Sequence, residues 1–216
     1  MEACAPILLA RGKPCKNLKE AAESYRALLD FSAVFGNDNP VELEVGCGNG
    51  GFILEKAKRN PQINFLGVEL CTNVVLTAME RILKENVPNV RFLNIPAEIL
   101  FCYLPEKSVE KIYLNFSTPL PEKSREKQRL TSMRFLEIYK KILKAEGSIE
   151  QKTDSAVLFE YSLKTLSQCG FKFEWVTLDL HASEFAADNI VTEYEGNFAS
   201  RGMPIYALSA KLSDDE

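Results

Sequence analysis

Apolar residues recur in this chain as short runs, set apart by turn residues and by longer amphipathic stretches. Residues 16–35 predict an amphipathic helix, which Gly36-Asn37-Asp38-Asn39-Pro40 ends with turn residues. Val41 to Val45 predicts a short apolar strand, and a helix follows over about 51–59. Asn60-Pro61 breaks that helix before a second strand, Asn64 to Glu69. A helix over roughly 72–86 and a third strand over Asn89 to Leu93 come next. Strands are then expected at Val109 to Phe116 and Gly147 to Lys152, with a helix over 155–168 and a helix-ending glycine at Gly170. Phe171 to Leu178 alternates as a sixth strand, and Pro204 to Ala210 is a last one. Strands alternating with helices predict an α/β fold built on a doubly wound sheet.

The first of these strands runs into Gly46-Cys47-Gly48-Asn49-Gly50-Gly51, and the turn runs into a helix. Such a turn lets the backbone approach a ligand, and the first N–H groups of the helix can face it. Gly46, Gly48 and Gly51 also fit G-x-G-x-x-G, the dinucleotide fingerprint, and a plain tight turn is a third reading. Glu44 shifts the balance. A carboxylate two residues before the first glycine repels a pyrophosphate but suits a cation, such as the amino group or sulfonium of S-adenosylmethionine. Glu69 ends the second strand 18 residues after Gly51, where a carboxylate can take both hydroxyls of a ribose. The alternative for Glu69 is a merely solvated acid.

Further candidates follow in order. Pro96-Ala97-Glu98 occupies the loop where a nucleoside site reads the adenine edge. Pro96 offers neither a carboxylate nor an N–H, which leaves the Ala97 N–H. Ser117-Thr118-Pro119-Leu120-Pro121 is a rigid loop at the tip of the fourth strand, bordering the reacting end of the donor. Residues 123–144 then carry eight basic side chains against two acidic ones, beginning with Lys123, Arg125, Lys127 and Arg129. A solvated helix face explains most charge runs, but the location beside the loop favours contact with a phosphate backbone. Trp175 reads as core or sheet face, and His181 as an ordinary loop histidine.

Composition narrows the setting. At 216 residues and 46% hydrophobic content the chain suits one domain over 1–216, with residues 1–36 as an N-terminal extension carrying a helix. No apolar run approaches the roughly 18 residues of a membrane span, and the first ten residues lack the basic start of a secretory signal. A net charge of −4 argues against a broad nucleic-acid coat but not against a local basic patch. The six cysteines form no C-x-x-C pair, which predicts free thiols in a reducing cytoplasm and no metal.

From about Phe35 to Leu212 the chain resembles the tRNA (guanine-N7)-methyltransferase family, single-subunit bacterial type. The resemblance is carried by Glu44 with the glycine turn, by Asn64 to Glu69, and by Asn115-Phe116 with Pro119, Pro121 and the basic run. Thr153-Asp154, Thr192-Glu193-Tyr194-Glu195, Phe198, Gly202 and Pro204-Ile205-Tyr206 complete it. It implies a Rossmann-like class I methyltransferase fold with a seven-stranded, mostly parallel sheet. It further implies S-adenosyl-L-methionine as donor and a variable-loop guanosine of tRNA as acceptor, in a monomer or homodimer. Glu44 and Glu69, with Gly46, Gly48, Pro96 and Ala97, would hold the donor. Asp154 and Thr192, Glu193, Tyr194 and Glu195 would hold the guanosine.

The chain also departs from the family. Where the family loop reads Phe-Pro-Asp-Pro-Trp-Pro-Lys, this chain has Phe116-Ser117-Thr118-Pro119-Leu120-Pro121-Glu122. Thr118 stands for the aspartate assigned as catalytic, Leu120 for a tryptophan and Glu122 for a substrate-contacting lysine. Pro96 stands for an adenine-loop aspartate. The expectation is tRNA methylation with weakened activity. The alternatives are a methyltransferase with another acceptor and a non-catalytic module that binds the donor or tRNA.

Overall fold

The computed structural model describes Cys4, residues 7–11 and residues 27–212. Most of the helix expected over 16–35, with Cys15, and the acidic tail from Ser213 lie outside the described residues. Within them, α1 (Phe31–Phe35) is short. The Asp30 side chain accepts from the Ala33 N–H at its start, and Gly36 ends it in a left-handed conformation.

The remaining elements include every strand predicted from the pattern and three further elements, a first strand and the helices over Met133–Ile142 and Glu193–Ala199. In chain order the remaining elements are β1 (Leu8–Arg11), β2 (Val41–Val45), α2 (Gly51–Arg59), β3 (Asn64–Val68), α3 (Thr72–Lys84), β4 (Val90–Asn94), β5 (Val109–Asn115), α4 (Met133–Ile142), β6 (Leu143–Thr153), α5 (Ala156–Gln168), β7 (Phe171–Thr177), α6 (Glu193–Ala199) and β8 (Tyr206–Leu212). Short 3₁₀ turns at Ala97–Cys102, Lys123–Gln128 and Glu184–Asp188 fill connections.

The strands form one sheet in the order β1-β4-β3-β2-β5-β6-β8-β7. Only the β6–β8 and β7–β8 pairings are antiparallel. The seven expected strands are joined by an eighth. Leu8–Arg11 adds to β4 at the sheet edge in parallel, a four-residue run with no alternation or turn signal to mark it as a strand.

From β2 the chain goes to β3 and β4 on one side, then returns to β5 on the other. The sheet therefore has its switch point between β2 and β5, and the ligand crevice lies outside the C-terminal ends of these strands.

The two faces of the central strands differ. Register puts Leu43, Ile112 and Ile149 in one row, with Leu114 further along the same face. These pack with Phe135, Leu136 and Tyr139 of α4 and Phe159 of α5. The next row is Glu44, Tyr113 and Glu150, flanked by Glu42, Lys111, Asn115 and Lys152. It faces α2, whose Phe52 ring lies 5.0 Å from that of Tyr113. A cavity of about 510 Å³ opens along it, bordered by Lys56, Lys111, Glu150 and Trp175.

Candidate active site

At the end of β2 the chain bends through Gly46, and the N–H groups of Gly46 and Cys47 both donate to the Val68 carbonyl at 2.8 and 3.1 Å. The turn is thus tied to the end of β3. Gly48 has φ +55° and Gly50 φ +77°, a region that side chains resist. At Gly50 a Cβ would also come within 2.8 Å of the Ala78 side chain, so glycine there lets α3 pack under the turn.

Glu44 sits just before this bend and is only 3% exposed. Its Oε1 accepts from Asn115 Nδ2 at 2.9 Å, while its buried Oε2 has no hydrogen-bond partner among the protein atoms. Burial pushes its carboxyl up to about 8, against the pull of the Asn115 hydrogen bond and the Lys152 charge. A buried oxygen without a partner is costly, and a cationic N–H group is the partner that best offsets that cost.

Glu69 closes β3 from the other side. Its Oε2 accepts from the Gly48 N–H at 3.2 Å and its Oε1 from the Cys71 N–H at 2.8 Å. The carboxylate therefore fixes the glycine turn and the start of α3 together. Each oxygen retains acceptor capacity for a hydroxyl donor. Asn94 steadies the same corner by donating to the carbonyls of Glu69 and Leu70. After β4, Pro96 caps the 3₁₀ turn that Ala97 begins, and Ala97 is buried.

The loop after β5 is held in an unusual shape, with φ +49° at Phe116 and +44° at Leu120. Arg129 holds it. Its Nε donates to the Pro119 carbonyl at 3.0 Å, its Nη2 donates to the Leu120 carbonyl at 3.1 Å, and the guanidinium lies 4.4 Å from the Tyr161 ring centroid. Thr118 is exposed at the loop's tip, and Leu120 is buried beneath. Glu122, Lys123, Arg125 and Lys127 are all exposed beside it.

On the far side of the crevice, Asp154 stands at the end of β6 and α6 opens at Thr192. Thr192 Oγ1 accepts from the Glu195 N–H at 3.0 Å, and Glu195 Oε2 accepts from the Thr192 N–H at 3.3 Å, a capping box. Glu193 reaches across to the donor side. It accepts from Asn49 of the glycine turn at 2.7 Å and pairs with Arg81 of α3 at 2.9 Å. Tyr194 is half exposed, with its ring 5.3 Å from that of Phe116. Among the described residues, no three His, Cys, Asp or Glu side chains gather into a group that could hold a metal.

Residues 38–208 match the sequence family described as "Putative methyltransferase". A tRNA (guanine-N(7)-)-methyltransferase of Geobacillus sp. (strain WCH70) is 46% identical over 181 residues, covering 84% of this chain and 82% of the relative. One from Geobacillus thermodenitrificans is 43% identical over 207 residues, covering 93% and 95%. The chain belongs to the tRNA (guanine-N7)-methyltransferase family. Among solved structures, a 16S rRNA methyltransferase, KamB, superposes with a TM-score of 0.64 at 17% identity, covering 85% of this chain and 92% of that one. At that identity the likeness concerns the fold.

For a chain of the tRNA (guanine-N7)-methyltransferase family, the structure ties Glu69 to Gly48 of the glycine turn and, through Asn94, to the end of the strand that leads into Pro96 and Ala97. Two expectations need correction. Arg129, expected among RNA contacts, is 5% exposed and committed to the loop carbonyls, so it shapes the loop from inside. Glu195, expected to face the guanosine, is fully buried. Its oxygens are taken by Lys152 at 2.7 Å, Asn189 at 2.6 Å and His181 at 3.0 Å, besides the Thr192 N–H. His181, read as an ordinary loop residue, belongs to this cluster.

Sequence reasoning passed over Lys152. It is 7% exposed, and burial pulls its ammonium below the usual lysine range despite Glu195. The available signal was a lysine closing a central strand, at the edge where the crevice opens and a buried cation needs a partner.

Proposed function

We propose that this chain transfers the methyl group of S-adenosylmethionine to N7 of a variable-loop guanosine in tRNA, at a rate lowered by its altered loop. The single observation that carries the reading is Glu44. It is a buried carboxylate with one unpartnered oxygen beside a glycine turn, at the switch point of the sheet.

When bound, the donor supplies an electrophilic methyl on a sulfonium. In this reading Glu44 receives the donor's amino group, Glu69 its ribose hydroxyls and the Pro96-Ala97 loop its adenine edge. Guanine N7 carries no proton at neutral pH, so no general base is required, and the task of the protein is alignment. Asp154 and the Thr192–Tyr194 segment present the guanosine, with Tyr194 as the exposed aromatic face. Lys123, Arg125 and Lys127 meet the phosphate backbone beside it.

Methylation leaves the purine cationic, and stabilising that charge falls to the groups around it. Thr118 can hydrogen-bond to the guanine edge but brings no charge. Losing a charged contact of this kind costs about 2–4 kcal/mol, or roughly 30- to 1000-fold in rate. Asp154 supplies part of the missing charge. The protein acts in the cytoplasm as a monomer or homodimer, and no helix among the described residues is long and apolar enough to cross a membrane.

The test combines purified protein, labelled donor and unmodified tRNA with mass spectrometry of the nucleosides. The expected result is slow formation of 7-methylguanosine that Asp154→Ala reduces further. Turnover that survives Asp154→Ala unchanged would sink the guanosine site. Donor binding without transfer to any RNA would instead point to a binding module.

A further inference from the structure

We propose that Lys152 is a positioning residue through which one buried ammonium serves both halves of the site, facing Glu44 on the donor side and seating the acceptor-side segment 189–195. The inference rests on Glu44 holding the donor.

Three acceptors surround the Lys152 Nζ, and all belong to that one segment. They are Glu195 Oε2 at 2.7 Å, the Ile190 carbonyl at 2.8 Å and Asn189 Oδ1 at 2.9 Å. An ammonium has three hydrogens, so its donor capacity is filled by residues 189–195. The start of α6 is therefore seated on β6 by Lys152 as well as by its own capping box. On the other side Lys152 lies opposite Asn115 in register, and the Asn115 side chain holds Glu44 Oε1. Its charge favours the ionised form of Glu44, against the burial that disfavours it. Two aromatic faces complete the enclosure. The Phe52 ring of α2 lies 5.5 Å from Nζ, and the Phe116 ring of the loop after β5 lies 5.8 Å away. One side chain thus touches the helix behind the glycine turn, the reaction-facing loop and the acceptor segment.

Charge accounting explains why a lysine belongs here. Glu44 and Glu195 are both buried, and two buried carboxylates with no cation would disfavour each other's ionised form. Lys152 pairs directly with one and attracts the other across Asn115. A neutral residue at 152 would leave Glu195 with Asn189, His181 and its own cap but without a buried ammonium, and would weaken Glu44 as an acceptor for a cation.

The test measures donor binding by calorimetry and tRNA kinetics on Lys152→Met, Lys152→Arg, Glu195→Gln and the Lys152→Met/Glu195→Gln double variant. Lys152→Met is expected to weaken donor binding and raise the tRNA KM by about tenfold each, the scale of one charged hydrogen bond. Glu195→Gln raises the tRNA KM more than the donor Kd. The double variant leaves neither charge unpaired and recovers thermal stability lost in the single variants, yet keeps the weak donor binding. Lys152→Arg keeps the charge and holds the donor Kd within about threefold of wild type. A double variant that binds donor like wild type would overturn the proposal, since Lys152 would then only fill and pair the core. So would a Lys152→Arg variant that loses donor binding as fully as Lys152→Met. Glu44→Gln is the separate control: unchanged donor affinity there would undo the Glu44 reading itself, whatever Lys152 does.

Discussion

The two faces of β2, β5 and β6 are both largely buried, yet they are built from opposite materials. Toward α4 and α5 the strands present Leu43, Ile112, Leu114 and Ile149, each without measurable exposure. Toward α2 they present Glu42, Glu44, Lys111, Tyr113, Asn115, Glu150 and Lys152. On that face polar groups meet in pairs. Tyr113 donates to Glu42 at 2.8 Å, Lys111 pairs with Glu150 at 2.6 Å, Asn115 donates to Glu44 at 2.9 Å and Lys152 pairs with Glu195 at 2.7 Å. The hydrocarbon face draws its stability from removing apolar surface from water. The charged face gains little net stability, because desolvation offsets most of the attraction. What it gains is chemistry. Along this row only the Glu44 carboxyl, at the crevice end, has a buried oxygen that no protein group satisfies.

Damage to the hydrocarbon face should cost the most stability. Leu114→Ala should cost about 2–5 kcal/mol in denaturant unfolding while leaving donor affinity nearly intact. An equal loss of donor affinity would mean that the two faces are not separable.

Next in size is the proton on Glu44. Its folded value of about 8 lies above its unfolded value, so its contribution to stability is full below the unfolded value and is lost as pH rises through about 8. In the absence of donor, stability from this group should fall by up to about 1.4 kcal/mol per pH unit over the neutral range. Glu44→Gln should flatten that slope and abolish tight donor binding. Donor binding should also release a proton near neutral pH, visible by calorimetry in buffers of different ionisation enthalpy. Binding with no proton release would show that Glu44 is already charged.

A smaller effect extends the charged face outward. Thr118→Asp places a carboxylate at the loop tip beyond β5, and turnover should rise by about tenfold with little change in donor Kd. The smallest lies at the rim. Glu193 is 63% exposed, so Glu193→Gln should cost well under about 1 kcal/mol and change tRNA kinetics by no more than about threefold. That change should shrink further in high salt.

Much of the proposed donor half was legible along the chain because its residues lie at the ends of consecutive strands. A strand running into glycines, an acid two residues before them and an acid closing the next strand are local patterns. Parallel pairing of β2 with β3 is enough to bring Glu44 and Glu69 to the same edge. The proposed acceptor half draws on residues 116–129, 152–154 and 181–195, and no local pattern says which of these face the crevice. Arg129 sits in a run of exposed cations and differs from them only by turning inward. Glu195 lies in a quartet read as substrate-facing, yet capping and burial draw it under the surface.

Seven of the eight strands, the glycine turn with its two flanking acids and the family could be read along the chain, since these follow from period, turn chemistry and motifs close together in it. The tertiary structure alone decided which charges are buried and with whom. Glu44 meets Asn115 across 71 residues, and Lys152 meets Glu195 across 43. The physical reason is that a charge's role depends on its desolvation and on its partner, and both are fixed only when distant segments pack.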